Sequence, residues 1–119
     1  TTGIRIPISD PAARRIENRL PGMDCNPYLC IAASLACGYL GMKNEIRPDK
    51  RWQGEAYNSE AEIAASLWDA LDLFDEAKEL HEVLGPEFAR VYSIVKRTEY
   101  TEFLQVISPW EREHLLLNV

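Results

Sequence analysis

The densest chemistry in this chain is five residues long: Arg15-Ile16-Glu17-Asn18-Arg19. On a β-strand, side chains at i, i+2 and i+4 share one face, about 6–7 Å apart. Arg15, Glu17 and Arg19 then line up as plus, minus, plus, and Arg5 on a neighbouring strand can join them. Arginine forks grip phosphate and carboxylate oxygens in pairs. A carboxylate among them can hold a Mg²⁺ or Mn²⁺ that neutralises a transferring phosphoryl group. These residue types therefore fit phosphoryl transfer. The plainer reading is a solvated strand face with a cross-strand ion pair, worth under about 1 kcal/mol. Spacing alone favours the plainer reading and does not settle it.

Nothing else in the chain competes. His81 and His114 lie far apart on helical segments, where a lone surface histidine is the ordinary case. There is no Ser/His/Asp order, glycine-rich phosphate loop or paired-histidine motif. Trp68 and Trp110 fall on apolar faces and read as core, and Glu111-Arg112-Glu113 reads as a solvated helix face. Cys25, Cys30 and Cys37 are an odd set without the paired spacing of zinc sites. Cys30 and Cys37 share a helix face and read as small buried hydrophobes, which fits a reducing cytoplasm.

Strands must position the charged face. Ile4, Ile6 and Ile8 alternate with Arg5 and Pro7, the period of a half-buried strand. Pro7 cannot donate to a ladder, so this strand is an edge or ends there. Ser9-Asp10-Pro11 signals a turn. In the next segment Ile16 and Leu20 point one way while Arg15, Glu17 and Arg19 point the other. The two segments make an antiparallel pair.

Helices follow. Asp24 or Asn26 can cap a helix over 27–40 that starts on Pro27, where the missing N–H costs nothing. It is apolar on every side and should be buried, with Gly38 and Gly41 placed to end it. Residues 43–54 form a charged loop. Ser59 and Glu62 make a capping box ahead of Ile63, Leu67, Leu71 and Phe74 at helical spacing. A short helix over 77–84 ends at Gly85-Pro86. A longer one over 87–105 buries Phe88, Val91, Tyr92, Val95, Phe103 and Leu104, with a break near Thr98. Ser108-Pro109-Trp110-Glu111 starts a last helical turn before Leu115-Leu116-Leu117. The expected class is α+β: an antiparallel strand pair over 1–22, then four to five α-helices over 23–119.

At 119 residues this is one domain's worth of chain. It opens on a strand-like alternation without an initiator Met, as a piece of a longer protein would. The longest apolar run, around 28–40, is short of the roughly 20 residues a membrane span needs. Charge is uneven: residues 1–53 carry eight Lys/Arg against five acids, residues 54–119 five against fourteen. A net charge of −6 argues against nucleic-acid binding, and the basic first half suggests a small anionic ligand.

Three blocks in order, Ile4-Arg5-Ile6-Pro7, Ala13-Arg14-Arg15-Ile16-Glu17-Asn18-Arg19 and Asp24-Cys25-Asn26-Pro27-Tyr28-Leu29, resemble the C-terminal part of the glutamine synthetase catalytic domain. The turn between the first two is one residue shorter than in bacterial type I enzymes, and the similarity weakens after Gly41. The resemblance implies that Arg5 contacts nucleotide phosphates, Arg15 lies near the nucleotide, Glu17 is a ligand of the second of two metal ions, and Arg19 holds substrate glutamate. It also implies ATP and Mg²⁺ or Mn²⁺ as cofactors, glutamate and an amine as substrates, and a ring-shaped homo-oligomer with no nucleic-acid or membrane partner. The family's remaining metal ligands and its N-terminal β-domain have no counterpart here, so the 119 residues alone should be inactive. Left with an open strand edge, they should also aggregate or melt easily.

Tyr57 lies near the adenylylated tyrosine of some type I enzymes. Its context, Glu55-Ala56-Tyr57-Asn58-Ser59, differs, and that regulation is not carried over. The ending Ile107-Ser108-Pro109-Trp110-Glu111-Arg112-Glu113 is similar to relatives that join glutamate to putrescine or another polyamine rather than to ammonia. A stand-alone helical binding or assembly module that kept the fold and lost the chemistry is the alternative of another class.

Overall fold

The computed structural model describes residues 2–48, 52–57 and 63–116, so the capping box expected at Ser59 and Glu62 lies outside the described residues. The class is α+β as expected. The elements run β1 (Ile4–Arg5), β2 (Glu17–Asn18), α1 (Pro27–Lys43), α2 (Leu67–Glu76), α3 (Lys78–Leu84), α4 (Pro86–Leu104) and α5 (Pro109–His114). They fall into two compact units, Thr1–Ile63 and Ala64–Val119.

In the first unit β1 and β2 pair antiparallel, Ile4 opposite Asn18 and Arg5 opposite Glu17. A 3-10 turn at Pro11–Ala13 lies between them, with the Ala13 N–H on the Asp10 carbonyl at 2.9 Å. The ladder is only two residues deep on each side, shorter than the alternation predicts, because Pro7 offers no N–H to extend it. Pro7 is buried while Ile4, Ile6 and Ile8 are exposed, so the isoleucine face that should be half-buried is uncovered.

Asn26 caps α1, its side-chain oxygen accepting from the Tyr28 and Leu29 N–H groups, with Pro27 in the first turn. The helix does not stop at Gly38 or Gly41. It runs through both to Lys43 and closes with the Glu45 N–H on the Met42 carbonyl and the Ile46 N–H on the Gly41 carbonyl. That is a Schellman closure, and Glu45 takes the left-handed position (φ 51°) that a glycine usually fills. Its sequence signal was therefore absent. A Cβ at Gly38 or Gly41 meets nothing within 4 Å. Gly38→Ala and Gly41→Ala should each stabilise the chain by about 0.5–1 kcal/mol in urea titrations, through helix propensity alone.

The expectation that α1 is buried is overturned: Ala36 is its one buried residue, and Tyr28, Ile31, Leu35, Tyr39 and Met42 are exposed. An all-apolar helix calls for cover on every side, and the described residues of this unit cover one. Cys37 is likewise exposed and Cys30 only half-buried.

In the second unit Ser66 caps α2, accepting from the Asp69 N–H at 3.1 Å, so Ile63 lies ahead of the helix. Gly85, at φ 98°, turns the chain from α3 into α4. The helix α4 is continuous through Thr98, whose hydroxyl donates to the Ile94 carbonyl at 2.9 Å instead of breaking the helix. Both α2 and α3 pack on it. Its inward face is Ala89 and Ser93, with Leu71 of α2 buried and Phe74 meeting Tyr92 edge-on at 5.7 Å. Of the residues expected inside, Tyr92 is half-buried, whereas Phe88, Val91, Val95, Phe103 and Leu104 are exposed. Small residues at i and i+4 let the helices approach, and Arg97 clasps them one turn on. It donates to Asp72 and Asp75 at 2.7 Å each and lies 4.7 Å over the Trp68 ring. A serine and an arginine on the buried side hid it from the apolar pattern.

The Ser93 hydroxyl and the Arg97 guanidinium hold the Asp75 carboxyl below its ordinary 3.8 against a smaller upward push from burial. A depressed folded value means the stabilisation is full above the unfolded value and is lost as pH falls through the folded one. Melting temperature should therefore drop below about pH 4, and Asp75→Asn should flatten that part of the profile. The helix start expected at Ser108-Pro109-Trp110-Glu111 is present, and the structure makes it a capping box: Glu111 accepts from the Ser108 N–H at 2.7 Å and Ser108 Oγ from the Glu111 N–H at 3.1 Å. Trp68 and Trp110 are exposed, not core, and Trp110 stacks on His114 at 4.8 Å. Among the described residues no helix is long and apolar enough to cross a membrane.

Candidate active site

Because Arg5 stands opposite Glu17 in the ladder, its side chain reaches the carboxylate across the pair. Arg5 Nη1 donates to Glu17 Oε2 at 3.0 Å, and Arg15 Nη2 donates to Oε1 at 3.1 Å. Three of the four residues singled out by spacing are thus one cluster. Arg19 is not in it. Its N–H donates to the Gly3 carbonyl at 2.8 Å, and its side chain makes no ion pair among the described residues, because β2 ends at Asn18.

The carboxylate is the most enclosed member, 29% exposed against 55% and 57% for its arginines. Its surroundings push the carboxyl up, and the hydrogen bonds and charges of Arg5 and Arg15 together outweigh that push, leaving it below its ordinary 4.5. It is an anion at neutral pH. Each guanidinium has five N–H donors and gives one to Glu17, so most of each fork is open to another anion. An exposed pair of this kind is cheap to redirect, at about 0.2–1 kcal/mol. The arginines can turn to phosphate or carboxylate oxygens while Glu17 turns to a cation.

As an ionised, half-buried oxygen donor, Glu17 fits a magnesium or manganese ion, which takes carboxylate oxygens readily. It supplies one ligand. No group of three or more His, Cys, Asp or Glu among the described residues is placed to hold an ion. His81 and His114 are not part of the site: His81 Nε2 lies 2.7 Å from the Phe74 carbonyl and His114 Nδ1 3.0 Å from that of Trp110.

Spacing missed Asn18. It points to the face opposite Glu17, where its Nδ2 donates to Ser34 Oγ on α1 at 3.0 Å and its Oδ1 accepts from the Leu20 N–H at 3.1 Å. Ser34 Oγ in turn donates to the Cys30 carbonyl at 2.8 Å. A polar residue between two charged ones on a strand was the available signal.

The sequence profile of the glutamine synthetase catalytic domain matches residues 1–115. The chain belongs to the glutamine synthetase family. Among its relatives, the glutamate–isopropylamine ligase of a Pseudomonas species is 36% identical over 115 residues, covering 93% of this chain and 25% of the relative. The gamma-glutamylputrescine synthetase of Escherichia coli is 34% identical over 119 residues, covering 99% and 25%. A glutamine synthetase of Methanosarcina mazei is 34% identical over 125 residues, covering 95% and 27%. The chain thus spans about a quarter of the length of these glutamine synthetase family members.

Proposed function

We propose that residues 1–119 are the C-terminal portion of the catalytic domain of an ATP-dependent glutamate–amine ligase, with its active-site residues in the strand pair over 1–22 and a helical part over 23–119. The observation that carries this reading is the Arg5–Glu17–Arg15 cluster, standing inside the segment that matches the family's catalytic domain. In the reaction, a γ-carboxylate oxygen of glutamate takes the terminal phosphoryl group of ATP, releasing ADP. An amine nitrogen then attacks the acyl carbon, loses a proton and displaces phosphate, leaving a γ-glutamyl amide. Arg5 and Arg15 bind the nucleotide phosphates, and their charge stabilises the phosphoryl group as it moves. Arg19, with no ion pair among the described residues, is open to the glutamate carboxylate. Glu17 provides one ligand for Mg²⁺ or Mn²⁺, which when bound neutralises phosphate oxygens.

The acceptor favoured here is putrescine or another polyamine, on the motif at residues 107–113. The names of two relatives, an isopropylamine ligase and a putrescine synthetase, fit an organic amine. Ammonia is the second reading, since a glutamine synthetase matches at the same 34% as the putrescine enzyme. The full-length protein is proposed to work in the cytoplasm as a ring-shaped homo-oligomer whose neighbouring segments cover α1 and the isoleucine face of β1. Phosphate release by the full-length protein, with glutamate, ATP and Mg²⁺ and with putrescine, spermidine or ammonia supplied separately, tests this. Release with a polyamine and little with ammonia is the expected result. Release with ammonia alone makes it a glutamine synthetase, and silence with all three favours a non-catalytic module.

A further inference from the structure

We infer that Asn18 is a positioning residue for Glu17, tying β2 to α1 so that the carboxylate is held at the angle a metal ion requires; this rests on the proposed role of Glu17 as a metal ligand. The strand is only two residues long, Glu17 and Asn18, and so short a ladder cannot by itself stop the strand from rolling about its axis. Successive strand residues face opposite ways, so whatever grips Asn18 sets the direction of Glu17. Asn18 is gripped at both ends of its amide. Nδ2 donates to Ser34 Oγ at 3.0 Å and Oδ1 accepts from the Leu20 N–H at 3.1 Å. Ser34 is itself fixed, because its hydroxyl donates to the Cys30 carbonyl at 2.8 Å within α1. A helix of 17 residues capped at both ends is the longest element of this unit, and the amide ties the strand to it. The apolar side chains that would otherwise seat β2, Ile16 and Leu20, are both more than half exposed and cannot do it.

Direct Mn²⁺ binding to the full-length protein without nucleotide, read by electron paramagnetic resonance, tests the inference alongside thermal melting. Asn18→Leu and Ser34→Ala should each weaken Mn²⁺ binding about tenfold, the usual scale for a residue that orients a ligand. Melting should move by no more than a few degrees. The exchange Asn18→Ser with Ser34→Asn, which restores the bond with its partners swapped, should recover most of the affinity. Unchanged Mn²⁺ binding in both single variants, with binding still lost in Glu17→Gln, would overturn the positioning role and leave the metal reading intact. Lower melting temperature without a change in Mn²⁺ binding would make the bond a structural tie only. Mn²⁺ binding unaffected by Glu17→Gln would remove both.

Discussion

Glu17→Gln in the full-length protein is expected to lower ATP-dependent phosphate release about 10²–10³-fold, the cost of removing one preorganised charge from a phosphoryl-transfer site. Glutamine keeps the shape and loses the anion that both arginines and a metal ion need. Its amide N–H₂ cannot accept, so one of Arg5 and Arg15, now at 3.0 and 3.1 Å from a carboxylate oxygen, would face a donor. Steady-state assays across a range of Mg²⁺ separate the two losses. A lost metal ligand raises the Mg²⁺ requirement, and misdirected arginines lower kcat at saturating Mg²⁺. The pH profile adds a sign. Because the arginines hold this carboxyl below 4.5, Glu17 is anionic above that pH, and a fall in rate above pH 5 belongs to other groups. Wild-type activity in the glutamine variant would return the cluster to an ordinary surface ion pair.

The 119-residue chain by itself should release no phosphate with ATP and glutamate at any Mg²⁺ concentration. One carboxylate is far short of the oxygen ligands that a magnesium ion takes, and no other His, Cys, Asp or Glu cluster stands ready among the described residues. The same chain has little to hold it together: Pro7, Ala36, Leu71 and Ala89 are the buried apolar residues among those described. Its urea transition should be broad, and light scattering should show association through the exposed faces of α1 and β1. ATP- and glutamate-dependent phosphate release, or a sharp transition of a monomer, would refute these expectations.

Local rules made much of this protein legible in its sequence. The alternation that puts Arg15 and Glu17 on one strand face, the Asn26–Pro27 start of α1 and the Ser108–Glu111 cap each depend on residues a few positions apart, whereas Arg5 meets Glu17 across twelve residues through the strand pairing. Residues a few positions apart meet through strand or helix geometry, whatever the rest of the chain does. Tertiary structure alone decided where α1 stops, since Glu45 adopts a left-handed conformation its type does not advertise. Packing also chose the Ala89–Ser93–Arg97 side of α4 over its more apolar side, because close helix approach and Arg97's two carboxylate bonds outweighed side-chain hydrophobicity. And it set Asn18 on Ser34, sixteen residues away, a bond no spacing rule contains. Periodicity specifies which residues share a face; which face is covered depends on what is packed against it.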